Sequence, residues 1–242
     1  MDNLLWKLEN VGLSGDALPR LSDISLEITT GVTAVLGPSG SGKTSLLNLL
    51  VRFERPDEGS ISHSVENKPY TVPVYWVPQT AGLWPHLRAR EHLERVLPPN
   101  AYRHDVEDLL TAFDLSGRAD AYPYQLSQGE QSRLSVARAI LAHATVMVMD
   151  EPLAHVDISS AGRYWEIIRN YIADSHSSLV FATHSPKTVL SEAERVICLR
   201  EGRLLFEGEL TELYHRPASR ELAECLGECN WVLPEEARLW FG

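Results

Sequence analysis

The sequence is short of cysteine, of basic residues and of long apolar runs, and each shortage closes off a class of protein. Three cysteines in 242 residues cannot staple a disulfide scaffold. No apolar run approaches the roughly 18–20 residues that span a bilayer, so a membrane-spanning chain is not expected. The first ten residues carry Asp2 and Glu9 and lack the basic-then-apolar pattern of a secretory leader. The expected compartment is the cytosol, where thiols stay reduced. Lys and Arg number 22 against 33 Asp and Glu, a formal net charge of −11. Proteins that grip nucleic acid by its phosphates need a basic face, so no nucleic-acid partner is expected. The acids are spread along the chain and read as a solvated surface. What is present is 44% hydrophobic and 23% charged residues, enough for a soluble α/β chain with a real core.

Periodicity divides the chain. Residues 4–11 and 21–28 show partial apolar alternation, with a Gly, Ser and Pro loop at 12–19 between them, and read as strands. Gly31 opens a short apolar run at 32–36 suited to a buried strand, and 43–53 reads as a helix. After a strand at 72–77, helical stripes fill 88–118. A helix at 131–142, a buried strand at 145–149, a helix at 158–173 and a strand at 178–182 follow. Residues 196–199 and 204–206 form a hairpin across Glu201-Gly202. Strands alternating with helices imply a mainly parallel sheet covered on both faces.

Gly37-Pro38-Ser39-Gly40-Ser41-Gly42-Lys43-Thr44 fits the phosphate-loop pattern G-x-x-x-x-G-K-[ST] and lies between an expected strand and an expected helix. Glycines let successive N–H groups turn towards phosphate oxygens, and the helix N-terminus adds partial positive charge. These eight residues and Ser45 are the candidate phosphate cradle. Lys43 suits the β- and γ-phosphates, and the Thr44 hydroxyl suits Mg²⁺. Further on, the apolar run 146–149 ends in Asp150-Glu151. Ligands of open parallel sheets sit beyond the carboxyl ends of strands. Asp150 is therefore a candidate Mg²⁺ ligand, and Glu151 a candidate base for a water attacking the γ-phosphate.

Leu126-Ser127-Gln128-Gly129-Glu130 then precedes a helix carrying Arg133 and Ala137-Arg138-Ala139. With the phosphate loop and the acidic pair, this run makes the chain, from about residue 4 to residue 227, resemble the ATPase subunit of ATP-binding cassette (ABC) transporters. Residues 126–130 are similar to the family's signature, usually Leu-Ser-Gly-Gly-Gln. Gln79 resembles the Q-loop glutamine, Asp157 the D-loop aspartate and His184 the switch histidine. The resemblance implies a P-loop NTPase of ABC type: a mainly parallel sheet core, an N-terminal antiparallel β region and an inserted helical lobe. It would be one ABC ATPase domain over 1–242, with a RecA-like core at about 1–80 and 127–216, the lobe at about 81–126 and a tail at about 217–242.

By the same resemblance ATP and Mg²⁺ are the cofactors. Glu151, His184 and Lys43 are catalytic, and Thr44, Gln79 and Asp150 ligate the metal. Ser127 and Gly129 contact the γ-phosphate of ATP held by a second cassette. The implied function is to power solute transport, import in preference to export, through a separate permease on the cytoplasmic face of the membrane. A second ABC subunit, a homodimer before a heterodimer, and a solute-binding protein are the other expected partners. The alternative is a soluble ABC-type ATPase of cluster assembly or nucleic-acid maintenance. Glu151 and His184 argue against a nucleotide-gated module that does not hydrolyse.

Two positions depart from the family pattern. The signature has Gln128 and Glu130, and the carboxylate of Glu130 in a first helical turn suits the helix dipole. The aromatic that usually stacks on adenine falls near Ser14-Gly15, and 12–19 contains no aromatic. Adenine is left with Leu13, Leu18 or nothing. Stacking is worth roughly 1–3 kcal/mol, so weaker ATP affinity and poorer ATP-over-GTP discrimination than in a typical cassette are expected. Trp6 is expected in the core. Trp84 is either a permease anchor or packed within the lobe, His86 a structural donor and His155 a partner contact or a solvated loop residue. Cys225, Cys229 and His215 do not make a metal cluster, because a fourth ligand is missing. Trp231 and Trp240 are expected to pack the tail onto the core.

Overall fold

The computed structural model describes residues 3–65, 71–99, 102–229 and 231–232. In chain order its strands are β1 (Leu4–Leu13), β2 (Leu21–Thr29), β3 (Val32–Leu36), β4 (Glu58–His63), β5 (Val72–Val77), β6 (Ala144–Asp150), β7 (Ser178–Thr183), β8 (Arg195–Arg200) and β9 (Arg203–Glu209). Its helices are α1 (Lys43–Leu50), α2 (Ala89–Glu94), α3 (Arg103–Ala112), α4 (Gln128–Leu141), α5 (Ile158–Ser175), α6 (Pro186–Glu192), α7 (Leu210–His215) and α8 (Arg220–Cys225).

Two sheets form. The smaller is antiparallel, in the order β2-β1-β4. The larger runs β5-β6-β7-β3-β8-β9 and is parallel from β5 to β8, with β9 returning antiparallel. Side chains on a strand alternate between faces, and each face of the larger sheet has its own core. Ala144, Met147 and Met149 of β6 join one cluster with Leu179 and Phe181 of β7 and Leu134 of α4. Val146, Val148, Val180 and Ala182 join the other, with Leu46, Leu47 and Leu50 of α1 and the inward residues of β1 and β2. A strand buried on both sides reads as one continuous apolar run, which is why β3, β6 and β7 were visible in the sequence.

Several expectations change. β4 is absent from the sequence reading, because Glu-Gly-Ser-Ile-Ser-His is nearly all exposed and offers no alternation. It forms because β1 pairs with it along its other edge. α4 begins at Gln128, three residues before the expected start, and α1 ends at Leu50, three before Phe53. α6, α7 and α8 span only 7, 6 and 6 residues, too few for a helical period to show in the sequence. Trp6 is 1% exposed and its indole N–H donates to the Leu50 carbonyl, as expected of a core residue. Trp231 is 39% exposed, and Leu222 of α8 is the tail residue that joins the apolar cluster. Trp240 lies outside the described residues.

Candidate nucleotide site

The register of the larger sheet assembles the site. Leu36 of β3 pairs with Thr183 of β7, Asp150 of β6 with Ala182 of β7, and Val77 of β5 with Met149 of β6. The residues just past these pairs are Gly37, His184, Glu151 and Gln79. Four adjacent parallel strands thus deliver four candidates from distant parts of the chain to one edge of the sheet.

The loop from Gly37 closes on Gly42, which caps α1 with a φ of 102°. A β-carbon there would lie 2.7 Å from the Arg20 carbonyl oxygen, so only glycine fits. Lys43 is 8% exposed and folds back on its own loop: Nζ donates to the carbonyls of Gly37 at 2.8 Å and Pro38 at 3.0 Å. Burial lowers its pKa, and the nearby charges of Glu151 and Asp150 oppose that. Thr44 Oγ1 donates to Asp150 Oδ2 at 2.6 Å. Burial of Asp150 raises its pKa, with Glu151 adding to the rise and the Thr44 hydrogen bond and Lys43 opposing it.

Glu151 takes a left-handed φ of 49° and is held there by its N–H to the Ala182 carbonyl. Its carboxylate is pinned at both ends. Oε1 accepts from His184 Nδ1 at 2.7 Å, and Oε2 accepts from Thr183 Oγ1 at 3.2 Å. The Thr183 contact had no motif to reveal it. Its only sequence signal is a hydroxyl next to His184 at a strand end. Gln79 is exposed. A pocket of about 350 Å³ beside the loop is lined by Gly37, Pro38, His184, Arg200 and Cys225.

The signature residues do not line this pocket. Ser127, Gln128 and Gly129 instead edge a separate groove with His155 and Asp157 of the same chain. Ser127 and Glu130 form a reciprocal capping box: Ser127 Oγ accepts from the Glu130 N–H at 3.2 Å, and Glu130 Oε2 accepts from the Ser127 N–H at 2.8 Å. Arg118 pairs with the same carboxylate at 3.1 Å. Glu130, a departure in the sequence, is therefore structurally useful. A β-carbon on Gly129 would lie 2.7 Å from the His155 carbonyl, which gives that glycine a reason inside its own chain. His155 is exposed, as are His86 and Gln128.

At the end of β1 and in the loop after it, where adenine is expected, Leu13 is buried, whereas Leu18 is 79% exposed. The Ser14 N–H donates to Asp57 at 2.7 Å and Arg20 pairs with Glu54, so the loop is fastened without an aromatic.

A family model described as "ABC transporter" matches residues 21–154, which include the phosphate loop, the signature and the acidic pair. The chain belongs to the ABC transporter family. Curated relatives agree. The sulfate/thiosulfate import ATP-binding protein CysA of Synechocystis sp. is 31% identical over 96% of this chain and 68% of its own length. The spermidine/putrescine import ATP-binding protein PotA of Marinobacter nauticus is 32% identical over 96% of this chain and 65% of its own. The chain thus spans about two thirds of the length of these relatives. A solved ATP-binding subunit of an ABC transporter shares the fold, with a TM-score of 0.75 at 22% identity, covering 86% of this chain and 91% of that one. As a member of the ABC family, this chain is an ATP-binding and ATP-hydrolysing transport subunit. Among the described residues, no helix is long and apolar enough to cross a membrane.

Proposed function

We propose that the chain is the ATPase of an importer, acting through a separate permease at the cytoplasmic face of the membrane. The convergence of Lys43, Asp150, Glu151 and His184 at one sheet edge carries this reading, together with the import subunits among its relatives. Gly37 to Ser45 cradle the phosphates. Lys43 leaves the Gly37 and Pro38 carbonyls for the β- and γ-phosphates, a short swing because the loop already solvates its ammonium with oxygen.

Mg²⁺ fits the donors here. The Thr44 hydroxyl and the Asp150 carboxylate are hard oxygens already 2.6 Å apart, and the burial that raises the Asp150 pKa is relieved by a cation. When bound, the ion neutralises charge developing on the phosphates. Gln79 and Thr44 would complete its protein ligands. Glu151 takes the proton of the attacking water. Thr183 and His184 hold its carboxylate ready, and His184, with a side chain 65% exposed, can turn to the γ-phosphate.

Ser127 and Gly129 serve the ATP of a second copy, since they edge a groove apart from their own phosphate loop. The division is a core at about 1–80 and 127–216 and a helical lobe at about 81–126. A solute-binding protein is the remaining partner.

Two measurements test this. E151Q should reduce hydrolysis by about 10³-fold or more while trapping an ATP-bound dimer, read by phosphate release and size exclusion. Unimpaired turnover refutes the base. With only Leu18 offered to the base, ATP and GTP should compete within about tenfold of each other, because stacking worth roughly 1–3 kcal/mol is missing. A strong adenine preference would contradict that.

A further inference from the structure

Arg138, in the last turn of α4, is 4% exposed, and no role above uses it. Its guanidinium makes a dense set of contacts. Nη2 donates to the Gly82 carbonyl at 2.9 Å and Nη1 to His92 Nδ1 at 3.3 Å. The group lies 4.7 Å from the centre of the Trp84 ring and 5.9 Å from that of Tyr75. His92 is fully buried and stacks on Trp84, with ring centres 5.3 Å apart and planes within 5°. A guanidinium only donates, so His92 Nδ1 accepts, and its Nε2–H donates to the Trp84 carbonyl at 3.1 Å. The imidazole stays neutral: burial first, and the Arg138 charge second, lower its pKa to about 4.

These contacts follow one path. Tyr75 is on β5, Gly82 and Trp84 lie in the bend just after Gln79, and His92 is on α2. The bend is sharp. Ala81 and Gly82 have consecutive left-handed φ values of 62° and 56°, and the Ala81 N–H closes back on the Pro78 carbonyl at 2.9 Å. Left-handed alanine is disfavoured, so the conformation must be held from outside. The holder is a residue of α4, the helix whose cap is Ser127.

We propose that Arg138 is a positioning residue: it fixes the bend carrying Gln79 to the helix carrying Ser127, so that the group facing this chain's own nucleotide and the lip facing the second copy's nucleotide move as one body. The proposal rests on the ATPase reading above. The planar fork matters. A lysine ammonium can donate to two acceptors, but it has no planar face to lay on the Trp84 ring while doing so.

The test is a double-mutant cycle in ATP hydrolysis by the whole chain, with R138M, Q79A and both. R138M alone should lower kcat about tenfold and leave KM for ATP nearly unchanged, because the phosphate loop is untouched. In the Q79A background, R138M should cost less than about twofold more, because the group it positions is gone. R138K should fall between R138M and the wild type. An equal loss in both backgrounds, full kcat in R138M, or a raised KM with kcat intact each overturns the proposal. If R138M fails to fold by circular dichroism, W84L replaces it in the cycle under the same criteria, since Trp84 is 41% exposed. The wild-type rate separates the two claims: a native chain that hydrolyses no ATP defeats the ATPase reading, whereas native turnover without coupling between Arg138 and Gln79 defeats this proposal alone.

Discussion

The two halves of the site are held in different ways. The half built from Gly37, Asp150, Glu151 and His184 sits on strands whose side chains interlock in apolar layers on both faces of a sheet. The signature half begins α4, whose Leu134, Val136 and Ile140 join one of those apolar layers, but around it arginines of α4 and α5 add polar straps. Arg133 reaches the carbonyls of Phe113 and Asp114, Arg163 pairs with Asp114, and Arg138 grips the bend after Gln79. Close-packed apolar layers resist displacement. Hydrogen-bonded straps can be exchanged for other partners at little net cost, since a single one is worth roughly 1 kcal/mol. On the function proposed above, the phosphate-loop half is the fixed cradle, and the signature half, strapped as well as packed, is the part that closes on a second copy.

The contrast can be broken in three ways, from the largest effect to the smallest. Phe181→Ala deletes a fully buried ring that packs on Trp165 at 5.1 Å and should cost about 3–5 kcal/mol in urea unfolding, because a cavity remains among rigid neighbours. A loss below about 1 kcal/mol would mean that the sheet layers are softer than the packing implies.

The second concerns pH. The folded pKa of His92, about 4, lies below the ordinary imidazole value of 6.5. Between those values the unfolded chain binds more protons, so stability falls as pH drops from 6.5 towards 4 and is fully present above 6.5. Thermal melting across that window should slope less steeply in H92Q than in the native chain. Parallel slopes would remove His92 as a pH-sensitive element of the helical region.

The smallest change in stability is expected for S127A. Its hydroxyl caps α4, and such caps are worth about 1 kcal/mol. Thermal stability should barely move while dimer-dependent hydrolysis collapses. A hydrolysis rate that follows stability alone would place Ser127 in the cap and nowhere else.

Legibility in the sequence followed the same line. The phosphate loop, the acidic pair and the buried strands could be read because each is a local pattern: glycines at fixed spacing, or an apolar run ending in charge. β4 could not, because Glu58–His63 carries no apolar period and becomes a strand only by pairing with β1. Thr183 could not be singled out, because its role depends on Glu151, 32 residues away in sequence. In the sequence Arg138 stands only as part of a helix resembling the signature helix, because its partners lie 46 and 56 residues away. Leu13 stood as a possible adenine contact until burial removed it.

By itself, the sequence determined which residues could do chemistry and that a parallel sheet would carry them. Those facts depend on neighbours within a few positions, and backbone sterics and side-chain period act at that range. Only the tertiary structure decided that Gly37, Asp150, Glu151 and His184 share one edge, that Gly129 is compelled by His155, and that one arginine binds the Gln79 bend to the Ser127 helix. Each of those depends on strand register or on helix placement, which long-range burial selects and no local pattern encodes.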